Sequence, residues 1–341
     1  MKAGFKKYEL QFKQQAGTSR GVLDSRTVWY LFLEENGITG IGECAPLPGL
    51  SKETPEEIET QIQQLCASPT LFRENPELLK DTPSLLFALE TALLDLKYGG
   101  EHILFPSEFT EGKAGIPING LIWMGETNKM KSQIDAKLSS GFQCIKLKIG
   151  AINFEEELKL LQGIRQRYTP EQITLRVDAN GAFLTNEAIQ KLRELTEFQL
   201  HSIEQPIAAG NWEIMAKLCK ESPLPIALDE ELIGINHRFK KIELLDTIHP
   251  QYLVLKPSLH GGISGCDEWI ELAEERSVGW WITSYLESNI GLNALAQWTF
   301  TKNVRMHQGL GTGQLFTNNI DSPLEIRGEQ LWFDPSKRFE M

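Results

Sequence analysis

With 341 residues, 41% of them hydrophobic, the chain can hold two domains, or one barrel with an addition, and nothing in its composition marks disorder. Its 34 basic and 46 acidic residues leave a net charge of -12, which argues against nonspecific nucleic-acid binding and against attachment to anionic membranes. A small anionic carboxylate substrate stays compatible, because lysines or a metal can make one pocket locally positive. The five cysteines, Cys44, Cys66, Cys144, Cys219 and Cys266, form no C-x-x-C pair and read as reduced thiols. With no stretch resembling a signal peptide or a membrane helix, a cytoplasmic location is expected, and no oligomeric state follows.

Residues from about Lys6 to Gln15, Thr27 to Glu34 and Ile38 to Glu43 alternate or run apolar in strand fashion, with Glu35-Asn36-Gly37 as a hairpin turn. Ser51 to Glu57 then carries a Ser or Thr cap, a proline and early acids, the signature of a helix start. A second helix is predicted over Ser84 to Tyr98, striped by Leu85, Leu89, Ala92, Leu93 and Leu96 and ended by Gly99-Gly100. Strands followed by helices without alternation predict an α+β module. Two turn-rich stretches, Gly17 to Leu23 and Pro46 to Ser51, are candidates for loops that close over a substrate, with Arg20 placed to contact an anion.

From Gly115 the pattern alternates. Strands are predicted near 116–121, 143–149, 173–178, 200–204, 225–229, 252–256, 279–283 and 303–307, and helices near 126–140, 154–167, 185–197, 211–220, 237–245, 263–276 and 289–301. The fold class is therefore α/β, a TIM-type barrel over 111–315 preceded by the α+β module over 1–110, to which the tail 316–341 is expected to return.

Lys148, Asp178, Glu204, Asp229 and Lys256 end successive strands at spacings of 30, 26, 25 and 27 residues, the rhythm of βα units delivering polar groups to one mouth. Lys146 and Lys148 share a strand face; mutual repulsion and desolvation are expected to lower an ammonium pKa and make a general base. An isolated Asp at a strand end is commonly a helix cap. Three carboxylates in register instead suit a hard divalent cation, Mg2+, and the absence of His or Cys at these places disfavours zinc. Lys256 faces the mouth from the side opposite Lys148 and could be structural, or could form a Schiff base with a carbonyl substrate. Ser284, Glu287 and Ser288 after strand seven and Asn119 on strand one are candidate substrate contacts. His260 and His307 lie near the mouth without ligand spacing, and the glycines 309, 311 and 313 lack the following helix that a phosphate loop needs.

Lys-x-Lys, Asp-x-Asn, Glu-x-Pro, Asp-Glu and Lys in this order resemble the enolase superfamily, specifically its muconate-lactonizing branch. Within it, Gly42 to Ser51 and Leu286 to Gln297 resemble the o-succinylbenzoate synthase family. The resemblance implies a modified (β/α)7β barrel with a capping domain, and Mg2+ (or Mn2+ in its place) on Asp178, Glu204 and Asp229. It further implies Asn180 and Glu230 orienting those ligands, Lys148 as base with Lys146 as its electrostatic helper, and Lys256 as a cation against the intermediate's ring. Dipeptide epimerases of the branch carry Asp-x-Asp after strand eight, where this chain has His307-Gln308-Gly309. N-succinylamino acid racemases share the lysines and stay open as an alternative. A noncatalytic small-molecule-binding barrel would leave all five charged strand ends unexplained, and a metal-free Schiff-base lyase would leave the three carboxylates so.

Overall fold

The computed structural model describes residues 1–18 and 21–339. Asn36 and Gly37, with φ of 53° and 79°, make the tight turn that lets β2 (Gly21–Glu35) run back as β3 (Ile38–Cys44), while β1 (Lys2–Thr18) pairs along the other edge of β2. The alternation of β2 decides what each face covers. Trp29, Leu31 and Leu33 pack on the helices α1 (Pro55–Ala67), α2 (Pro69–Glu74) and α3 (Pro83–Lys97), whereas Val28 and Tyr30 face Ile290 and Phe316 on the barrel side. The expected cap of α1 is Thr54, in a reciprocal capping box with Glu57. At Gly40 and Gly42 a Cβ would collide with the backbone carbonyls of Ala92 and Ala88, so α3 approaches β3 at a distance only glycine permits.

After β4 (Ile116–Pro117), which belongs to a separate small sheet, the barrel begins with β5 (Gly120–Ile122) and then alternates. In order come α4 (Thr127–Ser139), β6 (Cys144–Lys148), α5 (Phe154–Arg165), β7 (Thr174–Asp178), α6 (Ala188–Thr196), β8 (Ser202–Glu204) and α7 (Trp212–Glu221). They are followed by β9 (Ile226–Leu228), α8 (Arg238–Ile248), β10 (Tyr252–Leu255), α9 (Gly262–Glu274), β11 (Gly279–Ile282) and α10 (Asn289–Phe300). Strands β5 to β11 form one parallel sheet in sequence order. Its edges meet through bridges from Ile118 to Gln308 and from Thr283 to Gly309, which close the barrel. The eighth strand is thus two residues at 308–309 instead of a run at 303–307, because Asn303 takes a left-handed conformation and the chain turns before it extends.

The tail divides between two sheets. Phe316 bridges Phe12, and the Thr317 N–H donates to Gln11 O, beside β1. By contrast β12 (Leu324–Arg327) and β13 (Gln330–Phe333) form a hairpin whose β13 pairs with β4, so Leu331 and Phe333 join the barrel core. The tail thus meets the cap at its two ends, through Phe316 to Ile320 beside β1 and through Phe339, whose ring lies 4.4 Å from that of His102, while the hairpin between them takes the free edge of β4. Among the described residues no helix is long and apolar enough to cross a membrane.

Candidate functional site

Strand register sets the level of each charged side chain. Lys148 pairs with Asp178 and Asp178 with Glu204, while Asp229 follows Ala227, the partner of Glu204, by one pleat. In a closed ring of eight, Lys148 ends the second strand and Lys256 directly follows the sixth, so the two lysines enter from opposite walls. Beneath them Arg176 stacks on Trp281 at 4.3 Å, above a floor of Ala227 and Val254.

The charged groups are buried and paired. Lys146 Nζ donates to Asp178 at 3.0 Å and to both Glu204 oxygens at 3.0 and 2.7 Å. Lys148 Nζ donates to Asp178 at 2.6 Å and to Asn180 Oδ1 at 2.8 Å, and Lys256 Nζ to Asp229 at 2.5 Å. Asn180 in turn donates to Glu230 at 2.9 Å. These pairs overturn the expected lowering of the Lys146 pKa. Burial alone would lower it, but the charges of Glu204 and Asp178 outweigh burial and hold the ammonium above its ordinary range. Lys256 is raised against burial in the same way, by Asp229. Asp178, though buried, is held well below the usual carboxylate range by Lys148 and Lys146. Glu204 is pushed up by burial and by the charge of Asp178, since it shares one ammonium and lacks a second.

As the side chains stand, ammonium groups lie between the carboxylates, and among the described residues no three acidic, imidazole or thiol groups are gathered to hold a cation. The donor set nonetheless fits a hard divalent ion. Asp178, Glu204 and Asp229 are all-oxygen donors on neighbouring strands, and Asp229 Oδ1 is buried with no hydrogen-bond partner. A cation there would have to displace ammonium contacts.

Above these groups is a cavity of about 180 Å³, lined by Lys146, Lys148, Lys256, Asn180 and Glu230, by Ser284 and Asn119 as expected, by Leu47, Pro48 and Leu50 of the expected loop after β3, and by Leu23, which lies on β2 and not on a loop because the strand pairing of β1 and β2 runs past it to Thr18 and Gly21. Arg20 lies outside the described residues. Glu287 and Ser288 do not line the cavity: Glu287 is buried behind the wall, and Ser288 caps α10 and donates to Glu43 Oε2 at 2.5 Å. Neither histidine reaches the cavity. His260 is fully buried with Nδ1 accepting from the Lys256 N–H, and His307 meets Glu329 at 3.1 Å beside the hairpin turn. Leu121, Trp123, Tyr285, Leu286 and Thr312 also line the cavity and were not singled out in the sequence. Extending the period of two from Asn119 would have reached Leu121 and Trp123. Leu286 stands at φ 61°, a conformation costing about 1–2 kcal/mol for a branched side chain, held by its N–H on Ser284 Oγ at 3.1 Å.

The sequence model for the enolase C-terminal domain-like family matches residues 129–333, and that for the MenC N-terminal domain matches residues 2–96. The chain is 48% identical to the o-succinylbenzoate synthase of Desulfotalea psychrophila, over 97% of this chain and 98% of that protein. The crystal structure of MenC from the same organism superposes with a TM-score of 0.87 at 44% identity, covering 97% of this chain and 99% of that one. The chain is also 30% identical to the N-succinylamino acid racemase of Thermus thermophilus, over 83% of this chain and 78% of that protein.

Proposed function

Because the chain belongs to the enolase superfamily, we propose that it carries out the o-succinylbenzoate synthase reaction, as a hydro-lyase of menaquinone biosynthesis in the cytoplasm. The reaction is the syn dehydration of 2-succinyl-6-hydroxy-2,4-cyclohexadiene-1-carboxylate to o-succinylbenzoate. The observation that carries this reading is the pair of lysines, Lys148 and Lys256, entering one cavity from opposite walls.

The proton to be removed lies next to a carboxylate and is a very weak acid, since its loss places a second negative charge on that group. Asp178, Glu204 and Asp229 would hold Mg2+, or Mn2+ in its place, whose Lewis acidity stabilises that charge by several kcal/mol. Asn180 and Glu230 orient the neighbouring groups through their hydrogen bond. Lys148 takes the proton from carbon and returns it to the departing hydroxyl on the same face, and Lys146 keeps the surrounding field positive. Lys256 lies against the opposite ring face, where a desolvated cation over a π system contributes about 2 kcal/mol. The cap excludes water above the ring through Leu23 of β2 and Leu47, Pro48 and Leu50 of the loop after β3.

The same two lysines could exchange a proton across a stereocentre, and the likeness to the Thermus racemase favours keeping that activity as the second reading. Purified protein is expected to convert the synthase substrate in an ultraviolet assay faster than it racemises N-succinylamino acids. Turnover of the succinylamino acids alone would reverse the order of the two readings.

A further inference from the structure

Glu287 is fully buried behind the cavity wall and binds that wall together. Its Oε1 accepts a hydrogen bond from Ser258 Oγ at 2.7 Å, and its Oε2 accepts from Ser284 Oγ and from the Tyr285 N–H, each at 2.7 Å. Ser284 Oγ in turn accepts from the Thr312 hydroxyl at 2.7 Å and from the Leu286 N–H at 3.1 Å. A hydroxyl has one proton and two lone pairs. Ser284 therefore has every position filled and offers nothing to a ligand, although it lines the cavity. Thr312 lines the same cavity with its single proton committed to Ser284, and no donor among the described residues reaches its lone pairs.

We propose that Thr312 Oγ1 is the hydrogen-bond acceptor for the substrate's ring hydroxyl, the group that leaves, and that Glu287 is the positioning residue that fixes this polarity through Ser284. The inference deepens the synthase reading and rests on it. That substrate carries two carboxylates, a ketone and one hydroxyl, and of these only the hydroxyl can donate. A carboxylate or ketone at Thr312 would set lone pair against lone pair. With its O–H directed at Thr312, the leaving oxygen keeps its own lone pairs free for the proton that Lys148 returns. The C–O electron pair then departs with that oxygen as water, while the former C–H pair becomes the new ring double bond.

The test compares Thr312→Val, Thr312→Ser and Ser284→Ala in the ultraviolet assay, together with inhibition by the product o-succinylbenzoate, which has lost the hydroxyl. Thr312→Val should lower kcat/KM about tenfold, the weight of one hydrogen bond, with the product inhibition constant within about twofold of wild type. Thr312→Ser should restore the rate. Ser284→Ala removes the acceptor that commits the Thr312 proton and cuts Thr312 off from Glu287, so adding Thr312→Val to Ser284→Ala should lower kcat/KM by no more than about twofold further. An active wild type with unchanged kcat/KM in Thr312→Val, or with product affinity falling in step, overturns the inference alone. Full additivity of Thr312→Val and Ser284→Ala would remove Ser284, and Glu287 behind it, from the inference. A wild type inactive on the substrate overturns the synthase reading itself.

Discussion

Glu43 gives the sharpest prediction outside the lysines and carboxylates of the cavity. It sits on β3, wholly buried, accepting from the Ser288 N–H at 2.8 Å, from Ser288 Oγ at 2.5 Å and from the Gly291 N–H at 2.8 Å. It thereby ties the cap to the start of α10. Burial raises its pKa from 4.5 to about 7, the donors from Ser288 and Gly291 oppose the rise, and the charge of Glu287 adds to it. Because the folded value lies above the unfolded one, the unfolded chain releases this proton first as pH increases. The stability this group contributes is therefore fully present below pH 4.5 and lost as pH rises through 7. At about 1.36 kcal/mol per pKa unit, the loss between pH 5 and pH 8 comes to about 2.5 kcal/mol. Glu43→Gln cannot titrate. Its destabilisation relative to wild type, measured by urea unfolding, should shrink by about that amount between the two pH values. A difference constant to within about 1 kcal/mol would refute the argument, since Glu90 and Glu157, also raised to about 7 by burial, titrate alike in both proteins.

The remaining predictions concern the site and the cap. Lys148→Ala and Lys256→Ala should each lower dehydration by at least about 10²-fold while the circular dichroism spectrum is unchanged, and near-normal turnover of either removes that lysine from the mechanism. Asp229→Asn should weaken Mg2+ binding in titration calorimetry by more than the roughly tenfold that loss of an outer partner costs, and an unchanged affinity rejects it as a ligand. Gly42→Ala should destabilise by about 3 kcal/mol in urea unfolding, since its Cβ meets the immovable Ala88 carbonyl; a change under about 1 kcal/mol would mean that β3 can withdraw from α3.

The barrel was legible because its signal is periodic and local. Lys148, Asp178, Glu204, Asp229 and Lys256 mark successive strand ends wherever the intervening helices pack. Strand eight was misplaced because a two-residue bridge carries no alternation to read. Glu287 and Ser288 were placed near a strand end correctly and given the wrong surroundings, since their burial depends on Glu43 and Arg26, more than 240 residues away in the chain. The lysine pKa went astray for a related reason. Repulsion between Lys146 and Lys148 is visible within one strand, whereas the carboxylates that outweigh it come from the next two strands and act only once register sets them at one level.

That register also bears on how a metal and a substrate would share the cavity. Lys146, Lys148 and Lys256 set three positive charges against those of Asp178, Glu204 and Asp229, and buried Arg176 and Glu230 add one of each sign. The interior is balanced as it stands. Under the proposed assignment a divalent cation alone would leave two uncompensated positive charges in a low dielectric, where isolated charge is expensive. A dicarboxylate alone would leave two negative ones. Brought together they cancel, and the ammonium groups released from Asp178 and Asp229 are then free to face the ring from its two sides. The salt bridges of the free protein would then be the resting partners of the lysines, and a dicarboxylate should tighten Mg2+ binding, since each ligand would offset the charge the other leaves.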